Sequence, residues 1–150
     1  MAADFRRILI PIDFSPHSAR ALETGIALAK KFGSRLHLLH CYQIQVGAIS
    51  PYGVVIPESF DRDIREAASR QLGEWRDKAA AQKLEVEAEI SPSFPSEAIA
   101  STAERIGADL IVMGTRGLSG IKHVLLGSVA ERTLRIAPCP VLTLKAADSA

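Results

Sequence analysis

The stretch Ile8-Leu9-Ile10-Pro11-Ile12-Asp13-Phe14-Ser15-Pro16 carries the pattern from which the fold is predicted. Residues 8–12 are an uninterrupted apolar run, which is typical of a parallel strand covered on both faces. Ser15 suits a helix N-cap, and Pro16 suits the first helical position, where its missing N–H has no helical partner to lose. The stretch therefore predicts a buried strand followed directly by a helix.

The same alternation of strand and helix continues along the chain. The first helix is predicted to stop at Gly33, and residues 43–57, which hold two prolines and two glycines, are predicted to form a loop. Apolar runs and helical periodicity predict further strands at 36–41, 84–90, 109–113 and 141–144, and further helices at 61–82, 95–106 and 128–136. This order predicts an α/β fold with a parallel sheet and helices on both faces.

The strand predicted at 84–90 differs from the others because its residues alternate in character. Its apolar residues are Leu84, Val86, Ala88 and Ile90, and the positions between them are glutamates. A row of charges discourages pairing with other chains, which suits a strand at the edge of a sheet. We therefore expect this strand at an edge.

The composition is that of one globular domain with almost balanced charge. The 150 residues fit one domain, for which roughly 100–200 residues is usual. The 18 Lys and Arg against 17 Asp and Glu give a net charge of +1, which argues against broad binding to nucleic acid or a membrane surface. Cys41 and Cys139 form no CxxC pair, and no apolar run approaches the roughly 18 residues of a membrane-spanning helix. We expect a cytoplasmic protein.

The carboxyl ends of the predicted strands gather the candidate binding residues, because ligands of open parallel sheets bind at that edge. The turn after the fourth strand is rich in glycine, with Gly114, Gly117 and Gly127. Residues 128–131 have the S-x-x-E pattern of a capping box, which predicts a helix start at Ser128. Free N–H groups at such a start accept a phosphate, and glycines let a ligand approach the backbone. The alternative is that the glycines only serve tight turns.

Other candidate residues leave alternatives open or point away from catalysis. Asp13 either meets a ribose, a base or a metal, or supports the start of the following helix. His37 and His40 are three positions apart in one strand, so they point to opposite faces and do not predict a shared metal site. The sequence holds no G-x-S-x-G motif and no carboxylate pair placed for acid–base work, so it does not indicate catalysis.

Three separated motifs together resemble the universal stress protein family. Gly114, two residues, Gly117, nine residues and Gly127-Ser128 match the family's G-x2-G-x9-G-S/T nucleotide motif without a gap. Residues 11–15 resemble its first-strand motif, and residues 138–142 resemble its last strand. The resemblance spans residues 5–144 of the chain and identifies it as a member of the ATP-binding branch.

The resemblance implies a fold, a ligand and a partner. The fold would be a single open five-stranded sheet of the adenine nucleotide alpha hydrolase-like type, with strand order 3-2-1-4-5. ATP would bind between the first and fourth strands, and a homodimer would form through residues 141–144. The implied nucleotide-binding residues are Pro11, Ile12 and Asp13 at adenine and ribose, Cys41 beside adenine, Met113, Gly114, Arg116 and Gly117 along ribose and phosphates, and Gly127, Ser128 and Val129 at the phosphates. We interpret Cys41, where the family commonly has Val, as a small apolar substitute rather than a redox-sensitive thiol.

Three functional hypotheses follow from this resemblance. The first is an ATP-binding stress-response module with at most weak hydrolysis. The second is a slow ATPase or phosphotransferase that uses Mg²⁺ or Mn²⁺. The third is a dimeric scaffold that binds no nucleotide. AMP or another adenine compound would suit the same glycines as ATP.

Overall fold

Five parallel strands with helices on both faces form the part of the chain that the computed structural model describes, which is residues 4–42, 53, 57–116 and 126–145. The elements in chain order are β1 (Arg7–Pro11), α1 (Pro16–Phe32), β2 (Arg35–Cys41), α2 (Glu58–Ala80), β3 (Val86–Ser91), α3 (Pro95–Ile106), β4 (Leu110–Gly114), α4 (Ser128–Ile136) and β5 (Val141–Leu144). The strand order is β3-β2-β1-β4-β5, which confirms the order that the resemblance implied.

Helix α2 and strand β3 depart most from the predicted boundaries. Helix α2 begins at Glu58, three residues before the predicted position, because Pro57 has the extended backbone of an N-cap and Glu58 and Asp61 are acidic residues in the first turn. Strand β3 begins at Val86 rather than at residue 84. Most of the predicted loop at 43–57 lies outside the described residues.

The two faces of the sheet carry separate hydrophobic clusters. On one face, alternate strand residues such as Ile8, Ile10 and Leu38 pack against α1 and α2. On the other face, Leu9 and Leu39 belong to the cluster that includes α3 and α4. Neighbouring residues of a strand point to opposite faces, so the unbroken apolar run of β1 matches a strand buried on both sides.

The edge strand β3 confirms the prediction from its alternating glutamates. It pairs only with β2 in the described chain, and the order of the sheet places it at one edge. Glu87 is exposed, whereas Glu89 is partly covered and forms an ion pair with Arg105 of α3. No helix among the described residues is long and apolar enough to cross a membrane.

The starts of α1 and α4 differ in how they are capped. Ser15 caps α1 as predicted, and its Oγ accepts a hydrogen bond from the Ser18 N–H at 3.1 Å. The predicted capping box at 128–131 is wrong, although α4 does begin at Ser128. Gly127 is the N-cap, with φ of −68° and ψ of 163°, so Ser128 is already helical and makes no cap hydrogen bond. The carboxylate of Glu131 forms an ion pair with Arg135 instead.

We expect Ser15→Ala to lower the free energy of unfolding by about 1 kcal/mol, because the Ser18 N–H loses its acceptor. Ser128→Ala is the matched control and should change the free energy of unfolding by less than about 0.5 kcal/mol, since it removes no cap. Urea unfolding of both variants, compared at an unchanged m-value, measures this difference. Equal losses in the two variants would contradict the assignment of Gly127 as the N-cap.

Candidate functional site

A cavity of about 410 Å³ lies at the carboxyl ends of β1, β2 and β4. Strands β2 and β4 flank β1, so the chain's crossovers run in opposite directions from this point. Such a reversal opens a crevice in which ligands of α/β proteins bind. Its volume falls within the range of roughly 300–1,000 Å³ that is usual for small-molecule sites.

The structure brings together ten of the eleven residues named as nucleotide-binding candidates. The residues that line the cavity are Pro11, Ile12, Asp13, Cys41, Met113, Gly114, Arg116, Gly127, Ser128 and Val129. The eleventh, Gly117, lies outside the described residues. Segments from both halves of the chain therefore meet at one cavity.

Six further lining residues were not identified from the sequence, namely Ser18, Leu39, Pro95, Ile99, Thr115 and Ala130. Two of them, Pro95 and Ile99, lie in the first turns of α3. Helical periodicity identifies Ile99 as an apolar residue of that helix, but it does not separate a residue that meets the core from one that also meets a cavity. Thr115 could have been identified from the sequence, because it directly follows Gly114.

Asp13, in the turn between β1 and α1, both supports the start of α1 and lines the cavity. The Asp13 Oδ1 accepts a hydrogen bond from the Ser15 N–H at 3.0 Å, so this carboxylate supports the start of α1. The Asp13 N–H donates to the Ser18 Oγ at 3.3 Å. Asp13 also lines the cavity, so the supporting role and a place at the site coexist.

Two glycines of the motif are required by the protein's own packing. A Cβ at Gly114 would lie 2.9 Å from the His17 Cβ, and a Cβ at Gly127 would lie 2.9 Å from the Thr115 carbonyl oxygen. The Gly127 N–H also donates to that oxygen, at 2.5 Å. At these two positions, close packing within the protein therefore explains the glycine, in agreement with the alternative that the glycines serve tight turns.

The N-terminus of α4 presents three backbone N–H groups at the cavity. The first hydrogen bond within the helix runs from the Glu131 N–H to the Gly127 carbonyl oxygen at 2.9 Å. The N–H groups of Ser128, Val129 and Ala130 precede it and have no acceptor within the helix. All three residues line the cavity, so this wall has the donors that an anion needs.

The rest of the lining combines apolar side chains with two charged residues. The apolar lining includes Leu39 of β2, Ile99 of α3 and Met113 of β4. Asp13 and Arg116 are the charged residues among the described lining. A ligand that combines an apolar ring with an anionic group matches this lining.

Cys41 lines the cavity and packs against the hydrophobic cluster that includes α3 and α4, and burial raises its pKa from 9.0 to about 11. The charged thiolate is disfavoured because the surroundings replace water around the sulfur. The thiol is therefore protonated at neutral pH, which agrees with its interpretation as a small apolar residue.

The histidines of β2 take up different positions on the two faces of the sheet. The His40 Nδ1 is 2.7 Å from the Ile12 carbonyl oxygen. The His37 ring lies near the carboxylates of Glu87 and Glu89, with N to O distances of 3.6 and 3.4 Å. Within the described ranges, no three His, Cys, Asp or Glu side chains form a group suited to a metal ion.

A model of the universal stress protein family matches residues 4–145. The chain belongs to the universal stress protein family. The universal stress protein YxiE of Bacillus subtilis is 34% identical over 147 residues, which cover 94% of this chain and 99% of that protein. A universal stress protein of Methanocaldococcus jannaschii is 35% identical over 146 residues, covering 94% of this chain and 82% of that protein.

Solved structures share the fold of this chain. The hypothetical protein MJ0577 is similar with a TM-score of 0.84 at 26% identity, over 97% of this chain and 99% of that one. A universal stress protein in complex with cAMP has a TM-score of 0.70 at 24% identity, over 95% and 98% of the chains. The Archaeoglobus fulgidus universal stress protein in complex with dAMP has a TM-score of 0.64 at 18% identity, over 93% and 98%. At the last two identities the likeness shows the fold alone.

The raised pKa of Cys41 predicts slow alkylation that depends steeply on pH. At neutral pH the thiol should have about 100-fold less thiolate than one with a pKa of 9.0, because the pKa is about 11. The rate with iodoacetamide should therefore rise about tenfold per pH unit from about pH 7 to about pH 9.5. Mass spectrometry of a Cys139→Ser variant isolates the Cys41 reaction, and the urea-unfolded variant provides the unburied reference. A rate that levels off below pH 9 would contradict the prediction.

Proposed function

We propose that this universal stress protein binds an adenine nucleotide, ATP being the expected ligand, and acts as a nucleotide-dependent stress-response module. The observation that carries the proposal is the N-terminus of α4, where three backbone N–H groups without helical acceptors open on a cavity at the reversal of strand order. The proposal includes a single universal stress protein domain with its core at about 5–144, which the family match over residues 4–145 supports.

The phosphates are assigned to α4 on electrostatic grounds. The start of a helix carries the equivalent of roughly half a positive charge, in addition to its free N–H donors. Arg116, which follows β4, adds a cationic side chain to the lining. The ATP-binding branch is supported by the spacing of Gly114, Gly117, Gly127 and Ser128.

The nucleoside is assigned to lining residues from other elements, namely the β1–α1 turn, β2 and α3. Leu39, Cys41 and Ile99 provide apolar contacts for a flat base, and Asp13 provides a carboxylate for ribose hydroxyls. Two solved structures of the same fold are complexes with cAMP and dAMP, which supports an adenine nucleotide as the ligand class.

A second candidate function, slow hydrolysis or transfer of a phosphate with Mg²⁺ or Mn²⁺, rests on Asp13. Its carboxylate is the acidic group of the described lining, and divalent cations bound with phosphates use one or two carboxylates. Measuring phosphate release with each metal separates this candidate from a binding module. Asp13→Asn is the variant to compare, because it removes the charge and retains an acceptor for the Ser15 N–H.

The proposal includes a homodimer through β5 and a cytoplasmic location. Strand β5 is an edge of the sheet, and Leu142 is 38% exposed there. An unpaired edge with apolar residues favours pairing with a second copy. Sedimentation equilibrium should give twice the chain mass of 16.2 kDa for the wild-type protein, and Leu142→Lys should give the mass of a monomer.

The cytoplasmic location is supported by the cysteines. Cys41 and Cys139 are free thiols, which favours a reducing compartment.

The ligand is tested by denaturing the purified protein and identifying any released nucleotide, together with the thermal shift on adding ATP. Released adenine nucleotide, or a raised Tm with ATP, supports the proposal. The absence of both would favour the third hypothesis, a scaffold without nucleotide.

We expect Ser128→Glu to weaken ATP binding about tenfold or more while adenosine binding stays unchanged. A carboxylate at the first residue of α4 would repel the phosphates, yet it suits the positive end of the helix, so the fold should remain stable. Ser128→Gln is the matched neutral control, with nearly the same shape. Isothermal titration calorimetry with both ligands measures the effect. If Ser128→Glu bound ATP as tightly as Ser128→Gln, the phosphates would not lie at α4.

A further inference from the structure

Phe14, the residue after Asp13, has a backbone conformation that phenylalanine rarely adopts. Its φ is 63°, in the left-handed region. A bulky residue at positive φ is an outlier, and such conformations persist only where the surrounding structure holds them. Phe14 lies in the turn between β1 and α1, directly after the lining residues Ile12 and Asp13.

Two rings from other elements hold Phe14 in place. The His40 ring of β2 lies 4.5 Å from the Phe14 ring, with an angle of 40° between the planes. The Trp75 ring of α2 lies 5.4 Å away, edge to face at 76°. We call Phe14, His40 and Trp75 the aromatic anchor.

The aromatic anchor is also hydrogen-bonded to the wall of the cavity. The His40 Nδ1 lies 2.7 Å from the Ile12 carbonyl oxygen, and since a carbonyl only accepts, Nδ1 carries the proton and donates it. The Ile12 N–H donates to the Leu39 carbonyl oxygen at 2.8 Å. Both backbone groups of Ile12, a lining residue, are therefore bonded to residues of β2.

The turn connects the hydrophobic cluster on the α1 and α2 face to the cavity. Phe14 and Trp75 pack against this cluster, and Ile12 is one of its buried members. Ile12 also lines the cavity, together with Asp13. The packing around Phe14 is therefore continuous with one part of the cavity lining.

We propose that the aromatic anchor fixes the β1–α1 turn in the shape that receives the nucleoside part of the ligand, with Phe14 and His40 as positioning residues. This inference rests on the proposed function. The phosphates are assigned to α4, and Ile12 and Asp13 line the cavity from a different element, the β1–α1 turn, so they are assigned to the base and ribose. A wall held in place before binding spares the ligand the cost of ordering it.

The first test is Phe14→Gly, which removes the ring and leaves a residue that adopts positive φ freely. We expect ATP and adenosine to bind more weakly by the same factor, about tenfold, while inorganic tripolyphosphate binds unchanged. Calorimetry or competition with each ligand gives the three affinities. Unchanged affinity for adenosine, or an equal loss for all three ligands, would overturn the proposal.

The matched control is Phe32→Gly at the end of α1. Phe32 also makes an edge-to-face contact, with Phe5 at 5.4 Å, but it lies near the start of β1, away from the cavity. This variant removes a comparable ring contact, so we expect a loss of stability without a change in the affinity for any of the three ligands. A loss of adenosine affinity as large as that of Phe14→Gly would contradict a role specific to the anchor.

A second pair of variants tests the hydrogen bond. His40→Asn places an N–H donor near the position of Nδ1, whereas His40→Leu leaves the Ile12 carbonyl oxygen without this donor. We expect His40→Asn to restore most of the adenosine affinity that His40→Leu loses. Equal affinities in the two variants would show that the hydrogen bond does not position the turn.

Hydrogen exchange without any ligand separates failure of this inference from failure of the proposed function. The N–H groups of Ile12, Asp13 and Ser15 should exchange at least about tenfold faster in Phe14→Gly, while those in the middle of α1 stay protected. Unchanged exchange in the turn would overturn the anchor, whatever the protein binds. If the wild-type chain binds no adenine nucleotide, the proposed function fails, and exchange still decides whether Phe14 holds the turn.

Discussion

The burial of β1 on both faces is the constraint on which the rest of the structure depends. Ile8, Leu9 and Ile10 are all fully buried, which requires helices above and below the sheet and a strand on each side. Parallel pairing with β2 and β4 then directs the carboxyl ends of the central strands to one edge. The cavity lies at that edge because the crossovers leave β1 in opposite directions.

The same packing explains why glycines and ligand donors lie close together. Gly114 and Gly127 let the turn after β4 approach α1 and the start of α4, and in doing so they place the first N–H groups of α4 at the cavity. Glycine here therefore acts through the fold, and the proposed contact with phosphate is made by the residues that follow it. This also explains how a chain with a net charge of +1 can offer an anion site, because backbone dipoles do not enter the formal charge.

The β1–α1 turn combines structural and functional demands in adjacent residues. Asp13 supports the start of α1 and lines the cavity. Phe14 has a strained backbone, and its ring packs against His40 of β2 and Trp75 of α2. The strained conformation persists because packing contacts from several elements hold it. A turn held in this way has little freedom to adjust, which is the physical basis of its proposed role in positioning the nucleoside.

The sequence by itself determined the order of the elements, the burial of β1, the edge position of β3 and the Ser15 cap, because these follow from local periodicity and local hydrogen bonding. The sequence also predicted candidate residues at the strand ends, since the carboxyl ends of parallel strands meet at one edge of the sheet. Only the tertiary structure decided that Pro95 and Ile99 join the lining, that Gly127 rather than Ser128 caps α4, and that Phe14 meets His40 and Trp75. Periodicity gives the apolar face of an element, but the neighbour of that face depends on contacts between residues far apart in the chain.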